Sequence, residues 1–323
     1  MDQAAIQTFS SPVILFFLLG LLAAFLKSEL AIPEAIAKAM SLYLMIAIGL
    51  KGGVAMAQSG INAEVSAAIA LGVAASFLIP FAAYAALRSF GRLGKMDAGA
   101  VAAHYGSVSV VTFVTANQIF GSTGMAVAGF MVAVLAVMET PAILSGLYLA
   151  RRGEAAAAGT TQGALLHEVF LNASVVLLLG SFAIGWMVGP EGFAEVSPVF
   201  ESGFKGVLCL FLLDMGLIAA RRLLASRAIN ARLVSLAIAF PMVNGTLGVV
   251  AASMIGLDAG SAAAFGVLCA SASYIAVPAA MRLALPQADP GIYLTMSLSI
   301  TFPFNILFGI GLFAMLAQWL AGV

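Results

Sequence analysis

Ten stretches of the chain are almost uninterrupted in apolar residues: 12–26, 35–56, 64–87, 97–116, 122–150, 168–188, 198–220, 232–255, 258–285 and 291–320. Continuous runs of about 20 apolar residues predict helices that cross a bilayer, whereas a barrel would show alternating runs of about ten. Helices suit that medium because each satisfies its own backbone hydrogen bonds. Glycine, proline and charge mark the breaks between them, at 27–34, 58–64, 88–95, 121–123, 151–167, 189–201, 221–232 and 286–290. The predicted fold class is therefore an all-α polytopic membrane protein with ten transmembrane helices. The first apolar run follows an acidic, polar start without a basic region, so it reads as a retained span rather than a cleaved signal.

Composition sharpens this picture by exclusion. Of 323 residues, 63% are hydrophobic and 9% charged, far from the balance of soluble domains. The formal net charge of zero gives no electrostatic reason to expect nucleic acid as a partner. Cys209 and Cys269 fall inside apolar stretches without metal-ligand spacing, so neither a disulfide framework nor a zinc site is expected. There is no Walker loop, nucleophile elbow or HExxH, and nothing points to ATP hydrolysis or covalent catalysis. The protein is not expected to be an enzyme or to carry a cofactor.

Charge placement sets an orientation, because short basic loops stay in the cytoplasm. Twelve of the 14 basic residues fall together if the first, third, fifth, seventh and ninth loops are cytoplasmic: Lys27, Lys38, Arg88, Arg92, Lys95, Arg151, Arg152, Arg221, Arg222, Arg227, Arg232 and Arg282. The opposite loops carry Glu191, Glu195 and Glu201. Both termini are then extracytoplasmic. The four arginines from Arg221 to Arg232 read most simply as topology determinants, with anionic lipid or a cytosolic partner as further readings.

The chain also repeats at about half its length. Gly60-Ile61-Asn62-Ala63 recurs as Ala228-Ile229-Asn230-Ala231, and Asp97-Ala98-Gly99 recurs as Asp258-Ala259-Gly260. Ser107 and Ser109 correspond to Ser271 and Ser273, and Pro141 corresponds to Pro303. Five spans is an odd number, so the second copy enters the membrane from the opposite side. Two inverted five-helix repeats are expected, over residues 1–152 and 167–323, joined by a cytoplasmic linker at 153–166. Transporters built this way place their substrate near the bilayer midplane, on interrupted helices.

Two stretches lie at that depth, His104 to Ala116 (HYGSVSVVTFVTA) and Cys269 to Arg282 (CASASYIAVPAAMR). Gly106 sits about ten residues from either end of its span, hence near the midplane at 1.5 Å per residue, and Ser271 holds the same place in the ninth. If both helices break there, two half-helix N-termini converge from opposite sides, and their unpaired N–H groups favour a small anion. Gly106 and Ala270 let backbone approach a ligand, Ser107, Ser109, Thr112, Ser271 and Ser273 add hydroxyls, and Pro278 eases an interruption. The competing reading is close packing by small residues. Glu139 and Asp214, ionisable and inside spans, are candidates for a cation ligand or proton carrier, against burial beside a helix terminus or a basic partner. Lys51 and Arg282 are expected to reach toward the interface. His104 reads as a hydrogen-bonded packing residue, and Asn117, Asn244 and Asn305 either line a path or join helices.

With these residues assembled, the chain resembles the sodium-dependent bicarbonate transporter family known best from cyanobacteria. The resemblance rests on Ile32-Pro33-Glu34-Ala35-Ile36, Ile48-Gly49-Leu50 with Gly52-Gly53, Gly106 with Val108-Ser109 and Thr112, Glu139 with Pro141, Met215-Gly216, and Ala270-Ser271 with Ser273, Ile275, Pro278, Arg282 and Pro286. It implies a homotrimeric carrier in the bacterial inner membrane, with a moving core domain and a static gate domain. It further implies bicarbonate bound by Gly106, Ser107, Val108, Ser109, Thr112, Ala270, Ser271 and Ser273 at the helix crossing, with Na+ driving uptake. Cyanobacterial members carry an aspartate at the position of Tyr274 and a serine at that of Ala276. A cation site here would instead draw on Ser109, Thr112, Ser273, Tyr274 and Glu139. The central cytoplasmic segment is short, which weakens the expectation of a docked cytosolic regulatory protein. Two other functions fit the residues: a proton-coupled carrier of another small or organic anion, using Glu139 or His104, and a non-transporting membrane sensor.

Overall fold

The computed structural model describes residues 11–60, 62–152, 173–225 and 229–322, and these are mostly helical with no strand among them. The expected linker 153–166, His167, Arg227 and the first ten residues lie outside the described residues. In order the helices are α1 (Pro12–Phe25), α2 (Glu34–Ser59), α3 (Ala63–Ser89), α4 (Lys95–Gly106), α5 (Val110–Ser122), α6 (Met131–Met138) and α7 (Pro141–Arg151). There follow α8 (Ala173–Ser197), α9 (Phe204–Ala225), α10 (Ala231–Met254), α11 (Ala259–Ala270), α12 (Ala276–Ala284) and α13 (Pro290–Ala321).

Among the described residues, six stretches are long and apolar enough to cross a membrane: Glu34–Gln58, Ala63–Ser89, Lys95–Ser122, Met131–Arg151, Ala231–Met254 and Pro290–Ala321. Pro12–Phe25 and Ala259–Ala270 are shorter apolar helices. The protein is thus a multi-pass helical membrane protein. Local chemistry explains where helices start. The Asn62 side chain accepts from Val65 N at 2.9 Å to open α3, and Asn230 accepts from Arg232 N and Leu233 N, both at 3.1 Å, to open α10. The two asparagines that recur in the sequence therefore do one job in two helices.

Two boundaries differ from the hydrophobic pattern. The fourth stretch continues to Ser122, and the fifth begins only at Met131, because Ser122 and Thr123 turn their hydroxyls onto the carbonyls of Ile119 and Phe120 and end the helix. The expected break at 189–201 is helical: Gly189, at φ 61°, kinks the chain, Pro190 restarts it, and a π-helical turn at Pro198–Ser202 leads to the true break at Gly203.

Packing joins α1 to α9 and α2 to α8, while α3, α4 and α7 pack together, as do α10, α11 and the end of α13. The first two contacts are backbone-close. A Cβ on Gly216 would lie 2.3 Å from the Phe17 carbonyl oxygen, and one on Gly185 would lie 2.2 Å from that of Leu50. Such small-residue approach is how helices associate in lipid, where the hydrophobic effect offers little. The most apolar part of Lys95–Ser122 is wholly buried in protein, which is why it tolerates glycine, serine and histidine.

Candidate functional site

Each of the two polar stretches is interrupted where its serines stand. α4 ends at Gly106 and α5 starts at Val110; α11 ends at Ala270 and α12 starts at Ala276. The extended backbone at Ser107 and Ser271 leaves polar groups that must find partners away from their own helix. They find them in each other. Ser109 N donates to Ser271 Oγ at 2.9 Å, and Ser273 N donates to the His104 carbonyl at 2.9 Å. Ser271 Oγ in turn donates to Leu268 O at 2.8 Å. Each new half-helix is capped locally: Ser109 Oγ accepts from Thr112 N at 3.2 Å, and Ser273 Oγ accepts from Val277 N at 3.4 Å. Asn305 donates to the Ala270 carbonyl at 2.9 Å, closing the C-terminal end of α11, so of the sequence's two options for this residue the structure shows helix joining.

A small cavity lies beside this crossing, about 20 Å³ in the volume open to the centre of a water molecule. Val108, Ser109, Ser273, Tyr274 and Glu139 line it, together with Ser41, Leu44 and Met45 of α2. Of the expected residues, Gly106, Ser107, Thr112, Ala270 and Ser271 stand outside the lining. Gly106 packs on α3 instead, where a Cβ would meet Pro80 Cγ at 2.3 Å, so its small size is used for helix packing rather than for a ligand's approach. Ser107 donates to the Glu139 carbonyl at 3.2 Å.

Glu139 reaches the cavity through a kink. Pro141 opens α7, and the hydroxyl of Ser76 inserts into the interrupted ladder, donating to Met138 O at 2.6 Å and accepting from Ala142 N at 3.2 Å. The carboxyl group is buried, and Glu139 Oε2 has no hydrogen-bond partner. Tyr274 is also buried; its hydroxyl lies toward Ser109 but beyond hydrogen-bonding geometry, while its ring packs edge-on against Phe302 with centroids 5.2 Å apart. The residues lining the cavity thus include a carboxyl group and a phenol that each hold a buried oxygen without a partner, and two serines whose hydroxyl oxygens accept from Thr112 N and Val277 N. Hard oxygen donors of this kind suit a small cation.

His104 is placed as a packing residue. Its Nδ1–H donates to Ala100 O at 2.6 Å and its ring stacks on Tyr293 at 4.6 Å, away from the cavity lining. Lys51 pairs with Glu201 at 3.3 Å above the Phe204 ring. Ser76 and Ser41 could not be selected from sequence. One signal was present, a hydroxyl inside an otherwise apolar span, but many spans share it.

Interrupted helices bonded to one another beside a small cavity, among helices long and apolar enough to cross a membrane, define a class of multi-pass helical membrane protein. Within that class, the chain belongs to the Na+-dependent bicarbonate transporter superfamily, whose sequence model matches residues 12–318, nearly the whole chain. None of the curated proteins compared with it matches in sequence.

Proposed function

We propose that the protein is a secondary active carrier that imports bicarbonate together with Na+ by alternating access, with the crossing of α4–α5 and α11–α12 as its site. The observation that carries this reading is the cavity at the crossing, lined by Ser109, Ser273, Tyr274 and Glu139, with Glu139 Oε2 and the Tyr274 hydroxyl buried without a hydrogen-bond partner. A buried carboxylate without a partner is costly in hydrocarbon, and a bound cation offsets that cost while adding attraction for an anion. One Na+ and one bicarbonate cancel each other's charge, so the ions carried are neutral together and the site keeps only the charge of Glu139 itself.

Alternating access is supported by the composition of the cavity wall. One side is α2, which packs with α8, and the other is the pair of interrupted helices. At about 20 Å³ the space holds about one water, too little for a four-atom anion. The conformation is closed around the site, and movement of the interrupted helices past α2 would widen it.

Two inverted repeats, bounded as 1–152 and 167–323, form part of the proposal. Their support is paired detail: α1 packs on α9 as α2 packs on α8, and Asn62 and Asn230 cap corresponding helices. Asp97 Oδ1 accepts from Asp289 N at 2.8 Å, while Ser261 Oγ accepts from Ala128 N at 3.0 Å, so each buried half-helix is tied to the loop before a long span of the other repeat.

The test is uptake of labelled bicarbonate into proteoliposomes under an inward Na+ gradient. Uptake that is equal after the gradient is collapsed would remove Na+ coupling, and none under any gradient would remove the substrate. Tyr274 favours a second reading, because it supplies a phenol where a carboxylate would be the stronger cation ligand. In that reading Glu139 carries a proton and the anion is another small or organic one. Uptake driven by external acid without Na+ would select it.

A further inference from the structure

A groove of about 390 Å³, as the volume open to the centre of a water molecule, runs between α5, α10 and α13. It shares no lining residue with the cavity at the crossing. Along α13 its wall extends from Phe304 to Gln318, which at 1.5 Å per residue is about 21 Å. The span is Pro290–Ala321, so Phe304 stands near its middle and Gln318 near its end. Half of a bilayer, headgroups included, is roughly 20–22 Å thick. The groove therefore runs the depth of one leaflet.

Protein does not fill this space. A Cβ built on Gly311, midway along the wall, meets nothing within 4 Å, whereas Gly185 and Gly216 lack side chains in order to admit a neighbouring helix. Phe308, Met315 and Met242, which also line it, are 57, 47 and 43% exposed. Apart from Thr123 and Gln318 at one end, no polar side chain lines the groove. Water gains nothing in an apolar recess of this kind, and on a span bathed in hydrocarbon the molecule at hand to fill it is an acyl chain.

The polar end has its own chemistry. Thr123, Met125 and Gln318 also line a second cavity, about 540 Å³ in the same measure, walled by the loop 123–128 and the start of α11. Two contacts lay that loop on α11: Ser261 Oγ accepts from Ala128 N at 3.0 Å, and Gly260 lacks the Cβ that would stand 1.9 Å from the Ala126 carbonyl oxygen. The side chains at this mouth offer acceptors. Asp258 is exposed, and its Oδ1 accepts from Ser261 N at 3.0 Å. Gln318 donates an amide N–H to Met125 Sδ at 3.3 Å and keeps its oxygen, while Thr123 donates its hydroxyl proton to the carbonyls of Ile119 and Phe120. No Lys, Arg or His lines the mouth. A headgroup ending in a primary ammonium supplies both the N–H donors and the charge that such a set of oxygens accepts.

We propose that the groove and its mouth bind one phospholipid with an ethanolamine headgroup, its acyl chain lying along α13 between Phe304 and Gln318 and its ammonium at Asp258. The site bears on the crossing through the chain itself. Asn305, next to Phe304 at the deep end, donates to the Ala270 carbonyl where α11 is interrupted, so a seated acyl chain buttresses α13 at that junction. Lipid binding does not depend on which ions cross.

The test is photolabelling of the full chain in detergent with phosphatidylethanolamine carrying a diazirine at the end of one acyl chain, beside a phosphatidylglycerol analogue with the same chains. Labelled peptides are located by mass spectrometry. In the wild type, label is expected on the segment from Phe304 to Leu312, about tenfold stronger with the ethanolamine lipid, the weight of one hydrogen bond to a charged group. Gly311→Trp sets a ring into the groove and should remove this label. Gly311→Leu, a smaller filling, should reduce it, and decides the point if the tryptophan variant fails to fold. Asp258→Asn keeps an oxygen for Ser261 N but removes the charge, and should bring the two lipids to equal labelling. Undiminished label in a folded Gly311 variant would overturn the site, as would a wild-type dimer cross-linked through this face that takes no lipid. Equal labelling of the wild type by both lipids would overturn the assignment of the headgroup.

Discussion

Single side chains at the crossing do work that a sequence shows only as unexpected polarity. Ser271 accepts the Ser109 amide and so joins the two interruptions. Ser271→Ala leaves that buried N–H without a partner, and a loss of about 1–3 kcal/mol in stability is expected, read as a lower melting temperature in detergent. Ser76→Ala unpairs both Met138 O and Ala142 N at the kink that presents Glu139, and the same measurement should show a larger drop than Ser271→Ala. Glu139→Gln keeps the shape and removes the charge. It is expected to abolish the dependence of bicarbonate uptake on the Na+ gradient while leaving the protein folded, and retained dependence would place the coupling charge elsewhere. Serine's two lives, packing and ligation, look alike in a sequence; only the partner atom distinguishes Ser107, bonded to a carbonyl, from Ser273, which lines the cavity.

At the scale of elements, close backbone approach positions α1 on α9 and α2 on α8, alongside a core of large buried side chains such as Phe17, Tyr105 and Phe113. Gly185 on α8 meets Leu50 of α2 so closely that an added methyl would stand 2.2 Å from a carbonyl oxygen, an atom that cannot swing aside. Gly185→Ala should cost about 1–3 kcal/mol by overpacking, whereas the same change at Gly180, which meets nothing within 4 Å, should be close to neutral. A comparison of the two melting temperatures checks this. Helix existence was legible from the apolar runs, and the recurring Asn62 and Asn230 marked true helix starts. The ends were less legible: Ser122 and Thr123 stop α5 with hydroxyl-to-carbonyl bonds, and Pro190 restarts α8 where proline and glycine together suggested a loop.

For the molecule as a whole, the proposed motion runs between α2 and the interrupted helices, so a link across the cavity should stop it. Met45 and Ile275 line the cavity from those two sides. A Met45→Cys/Ile275→Cys pair joined by a short thiol cross-linker is expected to abolish uptake in proteoliposomes, with activity returning when a cleavable linker is reduced. Uptake that survives the link would show that the two groups do not move past each other at this point.

What the sequence determined by itself was the medium and the depth. Apolar runs that exceed any soluble core demand a bilayer, and serine, glycine and histidine at mid-span mark a place shielded from lipid, because exposed polar backbone is not tolerated in hydrocarbon. It also pointed to His104–Ala116 and Cys269–Arg282 as partners. Only the tertiary structure decided which of their residues face the cavity, because that depends on which neighbour each interrupted backbone finds. Gly106 met Pro80 and Ser271 met Ser109, while Ser109, Ser273 and Tyr274 came to line one cavity with Glu139.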